Sequence, residues 1–279
     1  MGVIIVTDSA SDLPSDVAEE LGIKIVPLNV NFGTESFKDG VTISADEFYG
    51  RLIDGPVLPT TSQPSPGDFV EVYEQIPDDV DGVVSIHITS KLSGTYNSAI
   101  QAKNQINAKF PIEVIDTASV SMATGLIAIA AGETAKKGGS FEEVVRVAKE
   151  SIEHTHVVAL LDTLEYLQKG GRIGKAQSMV GSLLSIKPMI TTLDGEVKPF
   201  SKARSFAKGL VKLKDFAEEK APLASACVIY STSIDSATEI AESITEHLSE
   251  GNQPMVTRIG PTIGTYGGPG VVGIALLSS

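Results

Sequence analysis

Ser93, in the stretch ITSKLSGTYNSAI at 88–100, is the residue with the widest choice of chemistry in this chain, and three readings compete for it. A serine nucleophile of the elbow type needs G-x-S-x-G, whereas the local string is K-L-S-G-T. Its base would come from His87, His154, His156 or His247, the four histidines present; a triad assembles in space, so sequence distance does not forbid one. The second reading is an anion site: serine then glycine at a helix start brings a hydroxyl and unpaired backbone N–H groups to the positive end of a helix. The third is a plain cap, worth about 1 kcal/mol. S-G-T alone does not separate the last two.

Other segments offer companions. PTTSQPSPGDF at 59–69 crowds Thr61, Ser62 and Gln63 between prolines, with Ser65 as a helix cap at the end of a polar loop. Asp8 follows the first apolar run and would lie at the carboxyl edge of a parallel sheet, where ligands bind; an Asx turn explains it equally well. GPTIGTYGGPGVVG at 260–273 contains G-x-G-x-x-G in GPGVVG, but it leads into a terminal β-run instead of opening a helix. Glycines there suit close approach to a ligand or another chain. GGRIGK at 170–175 is one residue short of a phosphate loop and is followed by Ala176. No His, Cys or carboxylate cluster has metal spacing, so no metal is expected.

These residues need elements to place them. VIIVTDS at 3–9, a run over 23–32, GVVSIHI at 82–88 and IEVIDT at 112–117 read as strands. Helices alternate with them, opened by capping signals at Ser15, Ser44/Glu47, Ser65 with Pro66, and Ser140/Glu143. That alternation predicts a mostly parallel α/β domain over 1–154. From 155 to 279 the texture changes: strands at 156–163, 186–200, 225–232, 254–260 and 271–279, helices near 175–185, 203–219 and 235–249, and a hairpin turn in LDGEV. An α+β second domain with a mixed or antiparallel sheet is expected, the two domains meeting in a cleft.

Composition narrows the function classes. A formal charge of −13 and a pI near 4.8 repel polyanions, which argues against a nucleic-acid partner. VSMATGLIAIAAG at 120–132 is too short to span a bilayer and reads as a buried helix. The start of the chain lacks the basic region and cleavage site of a signal peptide, and the single cysteine, Cys227, sits in an apolar run as core. A reducing cytoplasm fits.

Taken in order, the strings TDSASDL (7–13), VPLNVNFG and FKDG (26–40), TTSQPSPGDF (60–69), SKLSGTYNSA (90–99), VIDTASVSMATG (114–125), LEYLQKGGRIGKA (164–176), LLSIKPMITTLDGEVKPFSKAR (183–204) and GPTIGTYGGPG (260–270) resemble the DegV family across almost the whole chain. That family comprises bacterial fatty-acid-binding proteins acting as the lipid-presenting subunit of fatty acid kinase. The resemblance implies a long-chain fatty acid of the palmitate or oleate class in a buried tunnel, its carboxylate held by Thr61 and Ser93. Ser62, Gln63, Gly94, Thr95, Tyr266 and Gly267 are expected as supporting contacts. It also implies Arg172 as a surface contact for the kinase catalytic subunit, no catalytic residue in this chain and no cofactor. Tyr266 departs from the family, which often carries His there; a phenol hydrogen-bonds without becoming cationic near pH 7.

Energetics favour a carrier. An acyl chain buries about 0.8 kcal/mol per CH₂, roughly 11 kcal/mol gross for fourteen, so the tail supplies affinity and the head group needs only enough hydrogen bonds to offset lost water. With no basic residue evident beside the hydroxyls, a light grip is expected. The alternatives are a serine hydrolase using Ser93 on lipid esters, and a stand-alone lipid-sensing module.

Overall fold

The computed structural model describes residues 2–181 and 186–279, and three sheets organise them. The opening apolar run forms β1 (Val3–Asp8), and a short 3-10 turn leads to α1 (Ser15–Leu21). Gly22, at φ 66°, stops α1 as expected, but Ser15 is its first helical residue and Pro14 occupies the cap position. The single strand expected over 23–32 is two. β2 (Lys24–Val26) pairs with β1, whereas β3 (Asn29–Phe32) founds another sheet after Pro27, which has no N–H to continue the ladder. Flanking β3 are β4 (Glu35–Lys38) and, beyond α2 (Ala45–Asp54), β5 (Thr60–Ser62), both antiparallel to it. Part of the expected polar loop at 59–65 is therefore strand.

α3 (Pro66–Glu74) starts with a complete capping box between Ser65 and Asp68. At Ser44 and Ser140 the serine half of the box forms, each hydroxyl accepting the N–H three residues on. β6 (Gly82–His87), α4 (Thr95–Gln105), β7 (Ile112–Asp116), α5 (Met122–Lys136) and α6 (Phe141–His154) follow. The order β2-β1-β6-β7, parallel throughout, is the α/β arrangement that strand–helix alternation predicts.

The second half runs β8 (Thr155–Leu160), α7 (Glu165–Lys169), β9 (Lys187–Leu193), β10 (Glu196–Ala203), α8 (Phe206–Lys220), β11 (Leu223–Tyr230), α9 (Ile234–Ile244), β12 (Met255–Arg258), α10 (Pro261–Gly267) and β13 (Val272–Ser278). Its sheet, β10-β9-β8-β13-β11-β12, is antiparallel except for the β11–β12 pair. Asp194 and Gly195, both at positive φ, make the turn read in LDGEV. Where a helix is expected near 175–185 the chain makes a 3-10 turn over Gly174–Met179, and 182–185 lie outside the described residues. α10 is an element that the sequence reading omits.

The layers alternate helix and sheet. Phe69 and Tyr73 of α3 and Ala99 and Ala102 of α4 cover one face of the parallel sheet. α5 covers the other and also meets the six-stranded sheet, so Ile5 and Ile86 share one core with Cys227 and Ala275. Apolar nearly all round its circumference, α5 suits burial between two sheets. Leu213 of α8 and Ile240 of α9 close the far face against Val158 and Leu160.

Candidate functional site

Parallel strands deliver their loops to one edge. Leu28 after β2, Ile88, Leu92 and Ser93 after β6, and Val120 and Ser121 after β7 all reach the carboxyl edge of the sheet and line one cavity there. Ligands in open α/β sheets collect at this edge. Opposite stands one face of the six-stranded sheet: Val157 and Ala159 on β8 with Leu161 just beyond it, a period of two that sets all three side chains on the same side, joined by Ile190, Val197 and Ile229. α10 completes the wall with Thr262, Ile263 and Tyr266, followed by Gly267. The cavity measures about 260 Å³, far above the ~10–15 Å³ that one water needs. Its lining is mostly aliphatic, and empty space of that kind favours an apolar occupant.

Polar groups gather at one part of this wall. The Thr61 hydroxyl, on β5, lies 2.5 Å from the Tyr266 phenol. Arg172 stacks over the Tyr266 ring at 5.2 Å, donating from Nη1 to the Gly170 carbonyl at 3.0 Å and from Nε to that of Leu92 at 3.4 Å. A Cβ at Gly170 would stand 2.5 Å from the Tyr266 ring, and one at Gly94 would stand 2.4 Å from the Gln63 amide. Two glycines thus permit close approaches that larger residues would block. Through Gln63 and Gly94 the strand carrying Thr61 meets the turn carrying Ser93. Thr61, Arg172 and Tyr266 also line a second recess of about 180 Å³, shared with Thr60, Tyr166, Lys169 and Thr265. They form the partition between the two spaces.

Every residue singled out in the sequence now has a place. Thr61, Ser62, Gln63, Ser93, Arg172, Tyr266 and Gly267 line the cavity. Gly94 caps α4, which places Ser93 one residue before the cap, and Thr95 is buried behind it. The Ser93 hydroxyl is 2.8 Å from that of Thr95 and accepts the Thr95 N–H at 3.3 Å. Arg172 is half-buried in the cavity wall beside the hydroxyls, so a cationic group does stand next to them. Among the described residues it pairs with no carboxylate, although the chain holds 35 acidic residues. GGRIGK is no phosphate loop but the turn that delivers this arginine.

Histidine is committed elsewhere. His87 Nδ1 lies 2.9 Å from Asp8 Oδ2, His87 Nε2 lies 2.7 Å from Ser85 Oγ, and Ser85 Oγ lies 2.7 Å from the Tyr73 hydroxyl. Asp8, Ser85 and His87 are fully buried, so this Asp-His-Ser row is closed to any substrate. Asp8 also accepts the Ala10 and Ile88 N–H groups, an Asx turn and a brace instead of a ligand contact. Cys227 is buried core, its thiol pushed upward chiefly by desolvation. Sequence reasoning missed Thr191 and Thr192, which add hydroxyls from β9; adjacent threonines are ordinary β-strand residues and give no hint of a ligand. It also missed α10, whose signal was Pro261 at the first helical position.

A profile described as "Uncharacterised protein, DegV family" matches residues 3–279. A DegV domain-containing protein of Caldanaerobacter subterraneus is 37% identical over 280 residues, covering 98% of this chain and 97% of its own. Among solved structures, a DegV family protein from Thermus thermophilus, described for its fatty acid binding, superposes with a TM-score of 0.92 at 34% identity over the whole of both chains. A stearic acid-binding protein from Eubacterium ventriosum gives 0.87 at 28% identity, over 98% of this chain and 97% of its own. Among the described residues of the present chain, no helix is long and apolar enough to cross a membrane.

Proposed function

This chain belongs to the DegV family, and from that premise we propose that it binds one long-chain fatty acid in the aliphatic cavity. The carboxylate rests on Thr61, at the partition, and on Ser93 in the same cavity. The observation carrying this reading is a mostly aliphatic cavity whose wall holds a joined polar group, the Thr61 hydroxyl on the Tyr266 phenol with Arg172 over its ring. The tail contributes roughly 0.8 kcal/mol per CH₂ before ordering costs. The hydroxyls offset the desolvation of the carboxylate, which would otherwise be severely penalised.

The same geometry suits presentation of the head group. With the tail in the aliphatic cavity, the carboxylate lies beside the second recess, where an ATP-dependent kinase subunit can bring a phosphoryl donor. The carboxylate oxygen attacks the γ-phosphorus of ATP, the nucleoside diphosphate leaves with the bridging oxygen, and an acyl phosphate results. Arg172 faces that event as the contact for the partner and for the added negative charge. This chain acts as a non-catalytic carrier in the cytoplasm, its reduced cysteine buried and no cofactor required. The hydrolase reading draws no support from Ser93, whose hydroxyl bonds to Thr95, while His87 is taken up by Asp8 and Ser85.

Protein produced in a heterologous host is expected to yield a stoichiometric C16–C18 acid on solvent extraction and mass spectrometry, and delipidated protein to take up oleate or palmitate. Lipid-free protein that takes up neither would end this reading. Arg172→Gln is expected to bind fatty acid within a few-fold of wild type yet fail as a substrate for a kinase partner.

A further inference from the structure

The helix that closes the cavity is too short to hold itself. α10 has seven residues, well under the ~12–15 at which an isolated helix becomes even marginally stable in water. Its first N–H groups are taken by two carboxylates from the other half of the chain. Asp12, after β1, accepts the Gly260 N–H at 2.9 Å, and Asp39, after β4, accepts the Thr262 N–H at 3.1 Å. Negative charge at this end of a helix is favourable. Asp12 reaches further: its second oxygen accepts the hydroxyl of Ser121, the residue that begins α5 and lines the cavity. Ser121 holds φ 53° and ψ −146°, a conformation that costs an L-residue energy and persists where its surroundings impose it. One carboxylate therefore holds both the residue that caps α5 and the residue that caps α10.

Neither carboxylate is paired with a lysine or arginine among the described residues, and both are buried, Asp12 at 8% and Asp39 at 5% exposure. Desolvation holds both above the usual carboxylate range, with like charges adding to it. Carboxylates kept in so costly a setting, on the N–H groups of a cavity-lining helix, do more than fill space. Their reach along α10 is short: Ile263 and Tyr266, which touch the cavity, lie within two turns of the N–H groups they hold.

We propose that Asp12 and Asp39 are positioning residues for the fatty-acid site, holding α10 so that Ile263 and the Tyr266 phenol stand against the bound acid. They touch no ligand; they act through Gly260 and Thr262. The ligand part of this inference rests on the fatty-acid reading above, whereas the placement of Tyr266 does not.

The chain has six tyrosines and no tryptophan, so incorporation of 3-fluorotyrosine gives a countable ¹⁹F spectrum in which Tyr266→Phe assigns the Tyr266 resonance. In delipidated protein, Asp12→Ala and Asp39→Ala are each expected to shift or broaden the Tyr266 resonance. Signals distant from α10, such as that of Tyr96, should stay in place. Both variants should weaken binding of the fluorescent probe cis-parinaric acid at least tenfold. Asp12→Asn and Asp39→Asn keep an oxygen for the Gly260 and Thr262 N–H groups and are expected to restore the resonance and bring affinity within threefold of wild type. An unmoved Tyr266 resonance in the alanine variants, or asparagine variants as impaired as the alanine ones, overturns the proposal. Should an alanine variant not fold, hydrogen exchange in the wild type decides: parinarate should slow exchange of the Gly260 and Thr262 amides, and unchanged exchange with the probe bound overturns it. If wild type binds no probe, the fatty-acid reading fails and the resonance test of Tyr266 placement still stands.

Discussion

Two groups of polar side chains in this protein use nearly the same chemistry to opposite ends. Beneath α3, Asp8, His87, Ser85 and Tyr73 form an unbroken row of hydrogen bonds, all essentially fully buried, with Phe69 edge-on to His87 at 5.0 Å. Along the cavity wall, Thr61, Ser93, Tyr266 and Arg172 are half-buried, face empty space and retain bonding capacity. The first group has the members of a hydrolytic triad but no access. The second has no triad but has a cavity. Function here follows from unspent hydrogen-bonding capacity beside space, and residue type by itself misleads.

Breaking the sealed row is the largest expected effect. His87→Ala leaves Asp8 Oδ2 and the Ser85 hydroxyl without the imidazole between them, about 1–3 kcal/mol for each buried group deprived of its partner. Urea unfolding should register that loss while the folded fraction binds cis-parinaric acid within twofold of wild type. A large affinity loss with intact stability would erase the distinction between the two groups.

The open group should behave the other way. In the proposed site Ser93→Ala and Thr61→Ala would each remove a hydrogen bond to the carboxylate, about 1.5–3 kcal/mol, so fatty-acid affinity is expected to fall at least tenfold. Unfolding midpoints should imply a stability change near 1 kcal/mol or less. Fluorescence titration beside urea unfolding separates the two quantities.

Asp12 sharpens the comparison through pH. Its folded-state carboxyl titrates above the unfolded value, mainly by desolvation, with Asp39 and Asp8 adding repulsion and the Ser121 and Gly260 hydrogen bonds opposing. Tyr49 and Arg258 stand on the neighbouring elements. Because the folded state binds the proton more tightly, this group adds stability as pH falls through its folded pKa and withdraws it as pH rises. The slope is at most about 1.4 kcal/mol per pH unit. Asp12→Asn removes that dependence, so the variant's stability relative to wild type should decline from pH 7.5 to pH 5. A difference independent of pH would refute the assignment.

Tyr266→Phe is the mildest change. It deletes the hydrogen bond to Thr61 and leaves the ring beneath Arg172, so affinity should drop about two- to fivefold, matching roughly 0.5–1 kcal/mol. A hundredfold loss would mean that the phenol itself grips the carboxylate.

Much of this was legible in the residues because it is local. Capping at Ser65, the Gly22 stop, the Asp-Gly hairpin and the alternation of strands and helices all depend on neighbours in sequence. The pairing of Thr61 with Ser93 came from family resemblance, and the geometry brings both to one cavity wall. What stayed hidden was long-range. The row from Asp8 to His87 spans 79 residues and the bond from Asp12 to Gly260 spans 248; no periodicity reports either. Arg172 lay in a glycine-rich turn, and only the folded chain stacks it on Tyr266. Pro27 divided a strand because the residues on either side joined different sheets, a tertiary outcome that an apolar run cannot announce.

The central claim is that the acid's carboxylate lies on Thr61 and Ser93, and ¹³C NMR of carboxyl-labelled palmitate tests it most directly. With delipidated wild type, one bound carboxyl resonance distinct from free palmitate is expected, displaced in Ser93→Ala and again in Thr61→Ala. A bound resonance identical in all three proteins would contradict the account.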